Sequence, residues 1–250
     1  LAKGAKFLAK KKTIVKNMSA IQNLGAIDVL CTDKTGTLTM DHVVLQKYLD
    51  VNGEDSHLVL NYAWMNAYYS TGVKNLIDRA ILAYGEENDA HKYAGGYMKS
   101  DEIPYDFERR RMSVLISNPG GEHLGGNVEE ILPMPQDEVL ITKGALESVL
   151  ECCSRIRVKK EYMDIHEEDL AKINDLAEEL NKEGMHVIGV AAKKKSVGDT
   201  TVFHAEDETN MTFLGIIAFL DPPKPDAKEA IRGLYDAGVH VKVISGDAPV

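Results

Sequence analysis

The stretch DVLCTDKTGTLTMD (28–41) decides how this chain is read, because it runs a short apolar segment into an acid followed by lysine, hydroxyls and glycine. AIDVLCTD (26–33) predicts a buried strand, apolar with β-branched Ile27 and Val29, ending at Asp33. Two roles are then open for Asp33. It can cap a polar turn, or it can be a reactive carboxylate at the carboxyl end of a strand, where open α/β sheets gather ligands. In the second role Thr35, Gly36 and Thr37 would offer hydroxyl and backbone groups to phosphate oxygens. Gly36 would allow close approach and Lys34 would add positive charge. A carboxylate so placed can attack phosphorus and form an aspartyl phosphate.

The far end repeats the strand-then-loop pattern. KPDAKEAIRGLYDAGVHVKVISGD (224–247) predicts a helix, a strand and a loop: Asp226 as N-cap, Ala230, Ile231 and Leu234 at helical spacing, and Gly238 at C′. Val239, Val241, Val243 and Ile244 form the strand, which ends at Ser245-Gly246-Asp247. The middle differs. RMSVLIS (111–117) and EVLITK (138–143) predict strands separated by the turn-rich NPGGEHLGGN (118–127). HEEDLAKINDLAEELNKEG (166–184) carries Leu170, Ile173, Leu176, Ala177 and Leu180 on one helical stripe, and MHVIGVAA (185–192) follows as a strand. Two more helices are predicted near 57–69 and 74–84. The order fits an α+β domain inserted into an α/β domain.

Composition narrows the function. With 250 residues, 44% of them hydrophobic, the chain can bury a core and more than one domain. A formal net charge of −10 argues against general affinity for nucleic acid. Residues 1–27 nevertheless hold six lysines and no acid. The three cysteines, Cys31 and the adjacent Cys152 and Cys153, lack metal-ligand spacing and fit a reducing compartment. The longest apolar run, FLGIIAFL (213–220), falls short of the roughly 18 residues needed to span a bilayer. No signal peptide is visible, and both ends read as cut from something longer.

DKTGTLT (33–39) is identified as the phosphorylation sequence of P-type cation-transporting ATPases. KGA (143–145) is similar to that family's nucleotide-binding lysine motif, DPPK (221–224) to its hinge sequence, and SGD (245–247) to its T-G-D loop with serine for threonine. TGVKNLIDRAIL (71–82), DEIPYDFERRRMSV (101–114) and FLDPPK (219–224) resemble most the bacterial-type magnesium-transporting class.

The resemblance implies a haloacid-dehalogenase-like Rossmannoid phosphorylation domain, incomplete here, with an inserted α+β nucleotide-binding domain on an antiparallel sheet. Residues 1–41 would open the phosphorylation domain behind a juxtamembrane stalk at 1–20, residues 42–207 would form the insertion, and 208–250 would return. The lysine-rich start would lie on the cytoplasmic face of the cell membrane beside a multi-pass parent.

The implied partners are ATP, Mg²⁺, a transported cation expected to be magnesium, and an actuator domain of the same parent. Asp33 would accept the γ-phosphoryl group. Lys34, Thr35 and Thr37 would hold it, with Asp33 and the Thr35 carbonyl as magnesium contacts. Phe107 would stack on adenine, Arg109 would meet phosphate oxygens, and Lys143 would line the adenine pocket beside Gly144. Asp78 would lie near the base. Asp221 would support nucleotide binding, and Ser245, Gly246 and Asp247 would approach ATP and the phosphate. His186 replaces an arginine common in relatives, and the family's G-D-G-x-N-D magnesium-ligand sequence does not occur before residue 250, so turnover by the chain alone is not expected.

Plainer readings stand beside these: Phe107 as a core aromatic, Lys143 as a solvated strand-end lysine, Arg109–Arg111 as a solvated charge run. A pump for calcium or protons is the alternative cargo reading. A related phosphatase would need a second aspartate at position 35 as general acid and base, and threonine there cannot do that work near neutrality. A non-catalytic nucleotide-binding module is the third class.

Overall fold

Two faces of apolar side chains along one strand require cover on both sides, and Met211–Leu220 receives it. The computed structural model describes residues 2–34, 36–88, 97–118, 137–196 and 203–244. In chain order the helices are α1 (Ala2–Lys10), α2 (Ala20–Asn23), α3 (His57–Tyr69), α4 (Leu76–Glu87), α5 (Leu146–Leu150), α6 (Glu167–Lys182) and α7 (Ala227–Asp236). The strands are β1 (Val29–Asp33), β2 (Val44–Asp50), β3 (Met98–Asp106), β4 (Arg111–Ser117), β5 (Asp137–Ala145), β6 (Cys153–Val158), β7 (Glu161–Asp164), β8 (Met185–Ser196), β9 (Met211–Leu220) and β10 (His240–Ile244). They fall into two compact units, Leu1–Asp41 with Pro222–Pro249, and His42–Asp221.

The larger unit is an eight-stranded sheet, β3-β4-β5-β8-β9-β6-β7, with β2 also on β9. One edge of β9 pairs with β8 from Met185↔Leu220 to Ala192↔Thr212. The other edge is shared: β6 lies parallel to its start, Cys153↔Met211 to Ile156↔Phe213, and β2 antiparallel to the rest, Asp50↔Gly215 to Val44↔Leu220. A bulge at Leu214–Gly215 opposite Val190 and Ala191 marks the handover and inverts the side-chain alternation. Before it Met211 and Phe213 face one core. After it Ile216 and Ala218 face that core, while Ile217 and Phe219 face the other. Gly215 is required there, since a Cβ would stand 2.0 Å from the Leu49 carbonyl oxygen.

Helices α3 and α4 cover one face with Trp64, Met65 and Ile81 over Val114, Ile141, Val190 and Phe219. Helices α5 and α6 cover the other with Val149, Ile173 and Leu180 over Leu115, Leu140, Phe213 and Ile216. The expected all-antiparallel sheet is therefore corrected to a mixed one. A β7–α6–β8 connection separates β6 from β9, long enough to bring them together in parallel. The expected return at about 208 also moves, because β9 is central to this sheet and the unit runs to Asp221.

In the smaller unit β1 and β10 pair in parallel, Val29↔His240 to Asp33↔Ile244. Helix α7 ends as its sequence predicts: Gly238 N–H donates to the Tyr235 carbonyl (2.9 Å) and Val239 N–H to that of Leu234 (2.9 Å), a Schellman pair. The expectation that β1 is buried does not hold among the described residues. Its one sheet neighbour there is β10, neither α1 nor α7 contributes a buried side chain, and Val29 stays 47% exposed.

Three tyrosines packed against the α3/α4 core titrate late. Burial pushes Tyr69 up to about 12, and a hydrogen bond with Tyr84 together with burial pushes Tyr48 up to about 12. Burial also raises Tyr62. Folded-state values above 10.0 mean that the stabilisation is complete below pH 10 and is lost as pH climbs from 10 towards 12. Urea midpoints should fall over that interval, and Tyr69→Phe should shallow the fall. Gly215→Ala should cost about 3 kcal/mol of unfolding free energy by denaturant titration, because the methyl meets backbone that cannot yield.

Candidate functional site

The loop after β1 is shaped by its own backbone. The Lys34 carbonyl accepts from Leu38 N–H (3.0 Å) and Thr39 N–H (3.1 Å), and Lys34 N–H donates to the Ile244 carbonyl (3.2 Å). Gly36 N–H donates to Thr39 Oγ1 (3.1 Å). The loop is then pinned by the proline-lysine segment: Met40 N–H donates to the Pro222 carbonyl (2.8 Å), Lys224 N–H to that of Leu38 (2.8 Å), and Lys224 Nζ to that of Gly36 (2.7 Å). Asp33 ends the strand with its carboxylate exposed, and Thr37 is exposed on the loop. Thr35, Ser245, Gly246 and Asp247 lie outside the described residues.

In the larger unit, strand register gathers the expected residues at one end of the sheet. Met112 pairs with Lys143 and Arg111 with Gly144. Gly144 in turn pairs with Gly189, three residues beyond His186 on β8, and Met185 at the head of that strand pairs with Leu220, the residue before Asp221. The β3–β4 turn projects from the same end. It is held by Asp106, whose Oδ1 accepts from Glu108 N–H (2.6 Å) and Arg109 N–H (3.0 Å), while the Asp106 carbonyl accepts from Arg110 N–H (2.7 Å). Those amide donors hold the Asp106 carboxyl below the ordinary aspartate range. The turn leaves Phe107 88% exposed, edge-on to Tyr105. That overturns the plainer core-aromatic reading. Gly144 lets the turn close over β5, because a Cβ there would stand 2.4 Å from the Arg110 carbonyl oxygen.

Lys143 is buried, not a solvated strand-end lysine. It is 3% exposed, with Nζ 2.7 Å from Asp78 Oδ1 and donating to Asn66 Oδ1 (2.6 Å). Asn66 is fixed by donating its Nδ2 hydrogens to the carbonyls of Ile141 (2.7 Å) and Met112 (3.4 Å). Burial pulls the Lys143 pKa down from the lysine value, and the Asp78 carboxylate pulls it back. Lys74 flanks the same carboxylate. Its Nζ caps the end of α3 through the carbonyls of Ala67 and Ser70, and burial lowers its pKa against the pull of Asp78.

Arg109 and Arg111 are likewise not a solvated run; both turn to the other face and converge on Glu208. Arg110 remains on the surface. Asp221 lies 3.3 Å from His186 Nε2 through Oδ2, so the histidine has a carboxylate partner. Sequence reading missed Asn66, Glu208 and the Lys224–Gly36 contact. Asn66 carried a signal, a lone amide among apolar residues in YAWMNAYY (62–69). Glu208 lay in a polar run without one.

Asp78→Asn should destabilise the larger unit by about 3–5 kcal/mol, since it leaves a buried ammonium without its counter-ion. A lysine pKa below 10.5 in the folded state makes that deficit shrink as pH rises towards 10.5, where the unfolded chain also loses the proton. Denaturation of variant and parent at pH 7 and pH 9.5 checks both size and trend.

Residues 65–226 match the family described as P-type ATPase, cytoplasmic domain N. Over 248 residues the chain is 42% identical to a magnesium-transporting ATPase, P-type 1, of Escherichia coli, covering 99% of this chain and 26% of the relative. It is 40% identical to the protein of that name in Salmonella typhimurium, with the same coverage. Identity is 26% to a calcium-transporting ATPase of Listeria monocytogenes, over 99% of this chain and 28% of that protein. The chain thus spans about a quarter of the length of these relatives. With a family match over more than half its residues, a lysine buried on its carboxylate and an exposed aromatic turn at the same sheet end, the chain belongs to the P-type ATPases.

Proposed function

We propose that this chain is the nucleotide-binding and phosphoryl-accepting part of an ATP-driven magnesium pump, in a multi-pass membrane parent with this part on the cytoplasmic side. The observation that carries the reading is Asp33, the first residue of DKTGTLT, exposed at the carboxyl end of a parallel strand with its loop already folded. One Asp33 carboxylate oxygen attacks the γ-phosphorus of ATP. The bond from that phosphorus to the bridging oxygen breaks, ADP departs with the bridging oxygen, and an aspartyl phosphate remains. Lys34, Thr35 and Thr37 hold the phosphoryl oxygens, and Ser245, Gly246 and Asp247, next in the chain after β10, approach them. Threonine at 35 supplies no acid or base for rapid hydrolysis, which favours a lasting phosphoenzyme over a phosphatase.

Magnesium fits as a counter-ion to phosphate rather than in a protein cage. Asp33 offers one hard oxygen ligand, and among the described residues no cluster of three or more metal-binding side chains occurs. Asp33 and the Thr35 carbonyl would hold it, and it would shield phosphate charge. In the larger unit Phe107 presents a face for the adenine ring, with Lys143, Gly144 and Asp78 shaping the pocket, Arg109 meeting the phosphates and Asp221 supporting the nucleotide. The domain assignment follows: residues 1–41 and the segment after Asp221 as a haloacid-dehalogenase-like phosphorylation domain, with the nucleotide-binding domain between them. The actuator domain of the parent would complete the cycle.

Magnesium as cargo is supported by the names of the 40–42% identical relatives, and the calcium-transporting relative at 26% makes calcium the second reading. In the full-length parent, ATP labelled at the γ-phosphate with Mg²⁺ should give an acid-stable, hydroxylamine-sensitive label that Asp33→Asn abolishes. Phosphate release from small phosphate esters instead would replace the pump reading with a phosphatase. In the isolated chain, ADP titration followed by NMR should shift resonances of Phe107 and Lys143, and silence at both would refute the pocket.

A further inference from the structure

Glu208 has 0% of its side chain exposed, and a carboxylate so placed persists only when donors surround it. Arg109 NH1 donates to both its oxygens (2.9 and 2.8 Å), Arg111 Nε to Oε2 (2.7 Å) and Ser113 Oγ to Oε1 (2.6 Å). Thr142 Oγ1 lies 2.6 Å behind Ser113 Oγ, and Arg111 NH1 donates to the Ser148 carbonyl (3.0 Å), so the carboxylate rests on a fixed base. Arg109 NH2 takes one more bond, to the Pro104 carbonyl (2.7 Å). The Arg109 guanidinium is thereby clamped by two groups two residues from the exposed ring of Phe107, on a turn held by Asp106. Glu208 is thus shared by two guanidinium groups, with the Asp106 carboxylate also near Arg109 and that of Glu151 near Arg111.

We infer that Glu208 is a positioning residue for nucleotide phosphates. It fixes Arg109, two residues after Phe107 on the same turn, so that the N–H groups not taken by Glu208 and Pro104 hold one orientation before a ligand arrives. An arginine free to sample its rotamers would surrender that freedom on binding, and a clamped one has already done so. Glu208 does not touch the nucleotide. The inference rests on the nucleotide reading of the Phe107 turn, and its effect is confined to the phosphate end of the ligand.

The test uses the 250-residue chain and calorimetry with ADP and with adenosine. Glu208→Gln should weaken ADP roughly tenfold while adenosine changes less than about twofold, because the base contact at Phe107 does not depend on the clamp. In an Arg109→Ala background, Glu208→Gln should leave the ADP-to-adenosine ratio unchanged. Far-UV circular dichroism accompanies each variant. Glu208→Asp, which keeps the charge and shortens the reach, carries the test with a smaller loss in the same ratio if the glutamine variant does not fold. Equal losses for both ligands, an unchanged or tighter ADP affinity, or an effect that persists without Arg109 would overturn the inference. A parent chain that binds adenosine but gains nothing from the phosphates of ADP would overturn it too, leaving the base site standing. A parent chain that binds neither ligand would remove the nucleotide reading itself and this inference with it.

Discussion

Strand β9 has to satisfy three neighbours with two edges, and the larger unit depends on how it does so. A regular strand offers one continuous ladder on each side, yet β6 and β2 approach the same edge from opposite directions. The bulge at Leu214–Gly215 ends one ladder and begins the other, and by shifting the alternation it lets each half face its own core correctly. The absent side chain at Gly215 is what lets the Leu49 carbonyl lie against it. Both cores, and the alignment of the strand ends that carry the site, follow from that local irregularity.

On this frame each charged group of the site is balanced by a buried carboxylate on its own face of the sheet. Asp78 on α4 meets Lys143 under the α3/α4 layer, and Glu208 meets Arg109 and Arg111 under the α5/α6 layer. Neither carboxylate is a surface ion pair of the weak kind, because both partners lose water and any unpaired member would be costly. The balance is unequal. Asp78 pairs directly with Lys143, which an amide also holds, whereas Glu208 bonds two guanidinium groups directly. The ammonium of Lys143 is therefore enclosed on one face of the sheet, and the guanidinium groups of Arg109 and Arg111 are held on the other.

Much of this was legible in the sequence where signals are local. The stripe of α6, the glycines that end α6 and α7, the strands β4, β5 and β8, and the strand-to-loop passage at Asp33 all declare themselves within a dozen residues, whereas the expected N-cap at Asp226 makes no capping hydrogen bond. What failed was long-range. Nothing in FLGIIAFL says which sheet it joins, and its closeness to DPPK drew it to the wrong unit. Glu208 sits with Glu206 and Asp207 in a run whose composition predicts solvent, and only the return of the chain across β4 gives it two arginines. Lys143 was assigned by motif, yet its burial depends on Asn66 and Asp78 from two helices far earlier in the chain.

The fastening of the Gly36 carbonyl by Lys224 spans 188 positions, and β1 waits longer still for β10. Between them lies the whole of the larger unit, whose own contacts are contiguous in the chain from His42 to Asp221. During synthesis from the N-terminus, the larger unit can therefore fold while the loop after Asp33 is still without its partners. Once folded, it holds its two ends at fixed points and spares the smaller unit most of the entropy of closing so long a loop. Assembly order is built into the threading, and the chemically exposed aspartate is among the last parts to take shape.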